Sequence, residues 1–75
     1  MIFLGSRKNA AQFAAGIVEN FEIDCPSITI MRRGTSEDFF VLIVTDISLE
    51  DTVETMGQIY SMQRITTSWM NIPAG

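Results

Sequence analysis

Residues 39–45 read Phe-Phe-Val-Leu-Ile-Val-Thr, a run of aromatic and aliphatic side chains that carries no charge. Such residues favour a strand, and successive side chains of a strand point to opposite faces of its sheet. The two predicted faces are Phe39, Val41 and Ile43 on one side and Phe40, Leu42 and Val44 on the other. A strand that is apolar on both faces is expected at the centre of a sheet, with both faces covered.

The segment before this run predicts a second strand. Residues 27–31 alternate, with Ile28 and Ile30 on one face, and a polar turn that contains Gly34 follows them. Two strands separated by such a turn are typical of a β-hairpin.

Two further strands are predicted at the ends of the chain. Residues 2–5 form a short run that is also apolar on both sides, so it is the natural central neighbour of residues 39–45. Residues 64–72 return to strand character, and Pro73 ends them because proline cannot donate to a strand ladder.

Two segments predict amphipathic helices, because their apolar residues recur at spacings of three and four. The apolar positions are Ala10, Phe13, Ala14, Ile17, Val18 and Phe21 in the first, and Leu49, Val53, Met56 and Tyr60 in the second. Ser6 and Asn9 are alternative N-caps of the first helix, and Ser48 is the predicted N-cap of the second. Gly16 inside the first helix is either tolerated strain or the site of a close contact between the helix and the sheet.

The order β-α-β-β-α-β predicts an α+β fold, because connection rules leave few other topologies. The expected architecture is the ferredoxin-like sandwich, with two helices on one face of a four-stranded antiparallel sheet in the order 4-1-3-2. Residues 1–75 are expected to form a single domain, since a chain of this length has room for only one core.

Composition excludes several classes of function. The chain has no histidine and one cysteine, so histidine-based catalysis, an intrachain disulfide and a thiolate metal cluster are excluded. Cys25 has no nearby cation to activate its thiol, and the neighbouring carboxylates Glu37-Asp38 and Glu50-Asp51 suit turns and helix starts better than catalysis. We therefore expect no enzyme activity and no cofactor.

Charge and hydropathy limit the partners and the location. A net charge of −4 argues against direct binding of nucleic acid. No apolar run approaches the roughly 20 residues of a membrane span, and no targeting segment is visible. We expect a cytoplasmic protein, where a lone cysteine stays reduced.

The predicted topology brings all five basic residues to one edge of the sheet. They are Arg7, Lys8, Arg32, Arg33 and Arg64. The start of the first helix lies at the same edge, so Ser6, Arg7, Lys8 and Asn9 predict a cradle for a carboxylate or phosphate. The alternative is that these side chains only solvate loop ends.

The second sheet face predicts self-association. Phe40, Leu42 and Val44 would be exposed on the face without helices, which is more apolar surface than monomers usually tolerate. A second copy, giving a dimer or a higher homo-oligomer, is the simplest cover. A different protein partner is the alternative, and Trp69 on the last strand is an anchor in either case.

Residues 34–72 resemble the ligand-binding (RAM) domain of Lrp/AsnC-type regulators, especially its stand-alone form. The residues concerned are Gly34, Asp38-Phe39, Val44-Thr45-Asp46, Tyr60-Ser61-Met62 and Ile65-Thr66-Thr67-Ser68-Trp69-Met70-Asn71-Ile72. Gln63-Arg64 stands where that family has a small turn, and the N-terminal half does not match. ACT domains and the maturation chaperones of periplasmic nitrate reductase are also similar, but the Asp-x-x-Gly signature of the former and the Tyr-His ending of the latter are absent.

The resemblance implies a regulatory, ACT-like module that binds an anionic metabolite such as an amino acid. The ligand carboxylate would meet Arg7 or Lys8, with Arg32 and Arg33 nearby, and Asp46 of a second copy would accept the amine. The alternative is a protein-binding adaptor or maturation chaperone, in which the open face or the edge strand receives a peptide.

Overall fold

The computed structural model describes residues 1–65, and these form one sheet with two helices. The elements in chain order are β1 (Ile2–Ser6), α1 (Arg7–Asn20), β2 (Ser27–Arg32), β3 (Asp38–Val44), a short 3-10 turn (Ile47–Leu49), α2 (Glu50–Ile59) and β4 (Gln63–Ile65). Residues 66–72 of the predicted last strand lie outside the described residues.

The sheet is antiparallel throughout, with the order β2-β3-β1-β4. This is the predicted order 4-1-3-2 read from the other side, so the ferredoxin-like prediction is confirmed. Its centre is the pairing of β1 with β3, in which Phe3 lies opposite Val41. The apolar character of both strands thus corresponds to their central position.

Both helices pack on one face of the sheet and close the core there. The fully buried side chains include Phe3 and Val41 from the sheet, Phe13 and Ile17 from α1, and Val53 from α2. The rings of Phe3 and Phe13 meet edge to face with centroids 4.8 Å apart, an arrangement that aromatic pairs favour. Within residues 1–65, no helix is long and apolar enough to cross a membrane.

The helix starts differ from one another in how they are capped. The Ser6 hydroxyl accepts a hydrogen bond from the Asn9 amide at 3.1 Å, so Ser6, one of the two predicted alternatives, is the N-cap of α1. The prediction of Ser48 as N-cap of α2 is wrong, because residues 47–49 form a 3-10 turn and α2 follows Leu49 without a side-chain cap. Within the 3-10 turn, the Leu49 amide instead donates a hydrogen bond to the Asp46 carbonyl.

Two helical glycines permit close packing. A Cβ on Gly57 of α2 would lie 2.6 Å from a ring carbon of the buried Phe3. A Cβ on Gly16 of α1 would lie 2.6 Å from the Tyr60 hydroxyl, so the close contact at Gly16 is with the end of α2 and not with the sheet.

We predict that Gly57→Ala destabilises the protein although alanine is the better helix former. Overpacking a core costs about 1–3 kcal/mol, whereas the gain in helix propensity is about 1 kcal/mol. The expected net loss of about 1 kcal/mol corresponds to a fall of about 4–8 °C in melting temperature. Thermal unfolding followed by circular dichroism measures it, with Gln58→Ala on the exposed side of α2 as the matched control. A Gly57→Ala protein that melts above the Gln58→Ala protein would contradict the packing argument.

Candidate functional site

The topology gathers four cations at one edge of the sheet, which we call the basic edge: Arg7, Lys8, Arg32 and Arg33. β1 ends at this edge and α1 begins there, while β2 turns into β3 beside them. Segments that are distant in sequence therefore meet because β1 and β2 both run toward the same edge.

A pocket of about 490 Å³ lies at the basic edge, between the start of α1 and the β2–β3 hairpin. It is lined by Ser6, Arg7, Lys8, Arg32, Glu37 and Phe39. Pockets of this size hold small molecules.

The α1 wall of the pocket combines a helix start with two cationic side chains. Amides in the first turn of an α-helix have no partner within the helix. The Ser6 hydroxyl accepts a hydrogen bond from the Asn9 amide. The residues between them, Arg7 and Lys8, line the pocket. The positive end of the helix dipole and both side chains favour an anion at this wall.

The hairpin wall holds Arg32 in place. Its guanidinium donates to the carbonyl of Ser36 at 3.0 Å and to that of Thr35 at 3.3 Å. In the β2–β3 ladder Arg32 lies opposite Phe39, so both residues are on the helix side of the sheet, the side on which α1 packs. The two hydrogen bonds restrict the Arg32 side chain before any ligand binds. This lowers the entropic cost of a contact between Arg32 and a ligand.

The pocket is electropositive in an acidic protein. Three cations line it against one carboxylate, that of Glu37, whereas the whole chain has a net charge of −4. The opposite edge, which we call the acidic edge, carries Glu19, Glu22, Asp24, Asp46, Glu50 and Asp51. The arrangement can bind a small anion and leaves one carboxylate for a cationic group of the same ligand.

The predicted site residues do not all meet in one place. Ser6, Arg7, Lys8 and Arg32 line the pocket together, while Asn9 lies in the first turn of α1 outside the lining and Arg33 lies in the adjoining turn. Asp46 follows β3 at the acidic edge, so it can approach the pocket at the basic edge only from a second copy.

Arg64 does not belong to the basic edge, contrary to the prediction. It lies opposite Phe3 within β4, on the side of the helices, and its guanidinium contacts Glu54 of α2 at 2.9 Å. Glu54 lies on the part of α2 that packs beside β4. The spacing of residues in the sequence does not predict this proximity. An exposed ion pair of this kind contributes little stability.

Sequence reasoning missed Glu37 and Phe39 as pocket residues. Glu37 belongs to the turn of the hairpin, where an acidic residue is common, and strand alternation predicts for Phe39 only that it lies on one face of the strand. The signal for Phe39 is its register with Arg32, because two residues opposite each other in a ladder share a face.

The face of the sheet without helices, which we call the open face, is apolar. Its apolar residues are Ile2, Leu4, Met31, Phe40, Leu42, Val44 and Ile65. Val44 is 74% exposed and Met31 is 47% exposed. Three of the four predicted interface residues therefore share this face, with Val44 exposed but Phe40 and Leu42 only half-buried rather than exposed as predicted. Trp69 lies outside the described residues.

A second, shallower cleft of about 310 Å³ lies at the acidic edge and includes Asp24, Cys25, Thr45 and Asp46. The thiol of Cys25 is exposed. Within residues 1–65, no three acidic or thiol side chains are close enough to hold a metal ion.

Comparison with protein-family models, with curated proteins and with solved structures finds no match for this chain.

We predict that Ser6→Ala lowers the free energy of unfolding by about 1 kcal/mol, because loss of an N-cap hydroxyl typically costs about 0.5–2 kcal/mol. Ser48→Ala is the matched control and is expected to change stability by less than about 0.5 kcal/mol, since α2 has no side-chain cap. Urea unfolding of both variants measures the difference. Equal losses in the two variants would contradict the assignment of the caps.

Proposed function

We propose that this chain is a small, non-catalytic regulatory module that binds an anionic metabolite such as an amino acid and self-associates through the open face. The observation that carries the proposal is the pocket at the basic edge, in which Arg7, Lys8 and Arg32 line a space the size of a small molecule. The resemblance of residues 34–72 to Lrp/AsnC-type ligand-binding domains supports the same kind of ligand.

The pocket walls suggest how an amino acid is held. Its carboxylate lies against the start of α1, where backbone amides and the cations of Arg7 and Lys8 converge. The carboxylate of Glu37, the one carboxylate in the pocket lining, accepts from the ligand amine, whereas the predicted Asp46 would have to come from a second copy. The ring of Phe39 offers an apolar surface to the ligand side chain.

The open face supports the self-association part of the proposal. A chain of 75 residues buries only about 60% of its unfolded surface, so a second copy adds needed core. Val44 and Met31 are exposed on a face that carries five further apolar residues. This face is the surface that a second copy would cover.

A peptide-binding adaptor or maturation chaperone is the second candidate. β2 is an edge strand in which Thr29, Ile30 and Met31 are exposed, and an exposed edge accepts an extended peptide by strand addition. The pocket at the basic edge has no role in that mode of binding, which makes the two candidates separable.

The proposal places the protein in the cytoplasm. The exposed thiol of Cys25 is suited to a reducing compartment, where it would not form mixed disulfides.

We predict that replacing Arg7 and Lys8 together by alanine lowers the affinity for an anionic ligand at least tenfold, because each cation makes a charge-assisted contact. Calorimetry against a panel of amino acids and dicarboxylates measures it. Arg33→Ala is the matched control, since it removes a cation of the basic edge that does not line the pocket. Equal loss in the control would mean that general charge, and not the pocket, attracts the anion.

The adaptor candidate predicts a different result from the same assay. Proline at Ile28 or Ile30 would remove edge amides that a peptide needs and leave the β2–β3 ladder intact, because the amides of Thr29 and Met31 point toward β3. Loss of binding only in these proline variants, with retained circular dichroism, favours the adaptor and defeats the metabolite proposal.

We predict that the protein is a dimer at micromolar concentration and that Leu42→Glu converts it to a monomer. A carboxylate in the middle of the open face would be buried without a partner in any dimer that uses this face. Light scattering gives the mass, and Ile59→Glu is the control because Ile59 is 70% exposed on α2. A monomeric wild-type protein would overturn the self-association.

A further inference from the structure

Arg32 carries a positive charge that no carboxylate neutralises within residues 1–65. Its two hydrogen bonds go to the backbone carbonyls of Thr35 and Ser36, which are neutral groups. The one ion pair in this part of the chain lies elsewhere, between α2 and β4. Arg32 therefore keeps its full charge on a side chain that is already held at the wall of the pocket.

The two hydrogen bonds of Arg32 leave the end of its guanidinium free. A guanidinium has five N–H donors. The turn takes the proton of Nε and one proton of Nη2, so both protons of Nη1 and the other proton of Nη2 have no acceptor among the described residues. Adjacent protons on Nη1 and Nη2 form the fork that binds a carboxylate through two parallel hydrogen bonds. The hairpin wall is therefore equipped to bind a carboxylate of its own.

Phe39 lies directly beside Arg32 on the same face of the hairpin. The two residues are opposite each other in the β2–β3 ladder. The next pair along the ladder is joined by the hydrogen bond from the Arg33 amide to the Asp38 carbonyl, at 2.9 Å. Arg32 and Phe39 are therefore a pair without mutual hydrogen bonds, and opposite side chains approach most closely in such pairs. A ligand chain that crosses the Phe39 ring thus reaches the Arg32 guanidinium.

We propose that the pocket at the basic edge selects an acidic amino acid, such as glutamate, over neutral amino acids and over dicarboxylates that lack an amine. The inference rests on the proposed function and adds the class of ligand. The α-carboxylate lies against Arg7 and Lys8, and the amine meets Glu37. The side-chain methylenes cross the ring of Phe39, and the second carboxylate accepts from the free fork of Arg32.

The charged groups of the pocket match those of an acidic amino acid one by one. The lining holds three cations on two walls and one carboxylate, that of Glu37, which makes no ion pair within residues 1–65. The ligand brings two carboxylates and one amine. A neutral amino acid leaves Arg32 without a carboxylate, and a dicarboxylate leaves Glu37 without a cation and close to a further negative charge. Either mismatch lowers the affinity.

Three ligands of similar size test the inference on the wild-type protein. Glutamine has a neutral amide in place of the side-chain carboxylate of glutamate, and glutarate lacks the amine. We expect L-glutamate to bind about fivefold to tenfold more tightly than L-glutamine or glutarate, a modest ratio because the pocket is open to water. Calorimetry at low ionic strength measures the three dissociation constants.

Two variants assign the selectivity to single residues. Arg32→Gln is expected to reduce the preference for glutamate over glutamine to within about twofold, and Glu37→Gln to do the same for the preference over glutarate. Arg33→Gln is the matched control, because it removes a cation that does not line the pocket, and it is expected to keep both ratios. Each ratio is measured within one protein, so a change in stability cancels, and the Ser36 amide still bonds to the Arg33 carbonyl in the turn.

The outcomes separate this inference from the proposed function. Equal affinity of the wild type for glutamate and either analogue, or a glutamate preference that survives Arg32→Gln, overturns the selection of an acidic amino acid and leaves metabolite binding standing. Inorganic phosphate that binds more tightly than glutamate overturns the inference too, because the pocket is then a phosphate site. Absence of binding by every ligand tested overturns both proposals. Loss of the preference in Arg32→Gln and its retention in Arg33→Gln support the inference.

Discussion

The pairing of β3 with β1 is the interaction on which the rest of the structure depends. These two strands are adjacent at the centre of the sheet although 31 residues lie between them. Their helix-side residues Phe3 and Val41 form the floor on which both helices pack. Because the pairing is antiparallel and in register over the whole of β1, it also fixes where each connecting segment emerges.

The position of the basic edge follows from this pairing. β1 must end beside the start of β3, so the first turn of α1 and the hairpin turn are neighbours in space. Because the strands are antiparallel, the end of α1 and the start of α2 lie at the opposite edge, and the carboxylates of these segments lie there too. The chain thus separates its charges by topology, without any charge-rich segment in the sequence.

The arrangement of strands and helices was predictable because the apolar patterns are strong and connection rules leave few topologies. The convergence of Arg7, Lys8 and Arg32 followed from that topology alone. Details that depend on side-chain reach were not predictable. Arg64 pairs with Glu54 because α2 descends beside β4, and the 3-10 turn ahead of α2 displaces Ser48 from the capping position. The first outcome depends on how α2 packs beside β4 and the second on the backbone of a single turn, and periodicity encodes neither.

The pocket is built from two walls that belong to segments far apart in sequence, and this has a thermodynamic consequence. Arg7 and Lys8 reach the hairpin only when β1 and β3 are paired, so the unfolded chain has no comparable site. A ligand that binds only the folded state stabilises it by an amount that rises with the logarithm of its concentration, about 2.7 kcal/mol at a hundred times the dissociation constant. For a domain with so small a core, that is a substantial share of the stability. The abundance of the folded protein would then rise with the concentration of any ligand that the pocket binds.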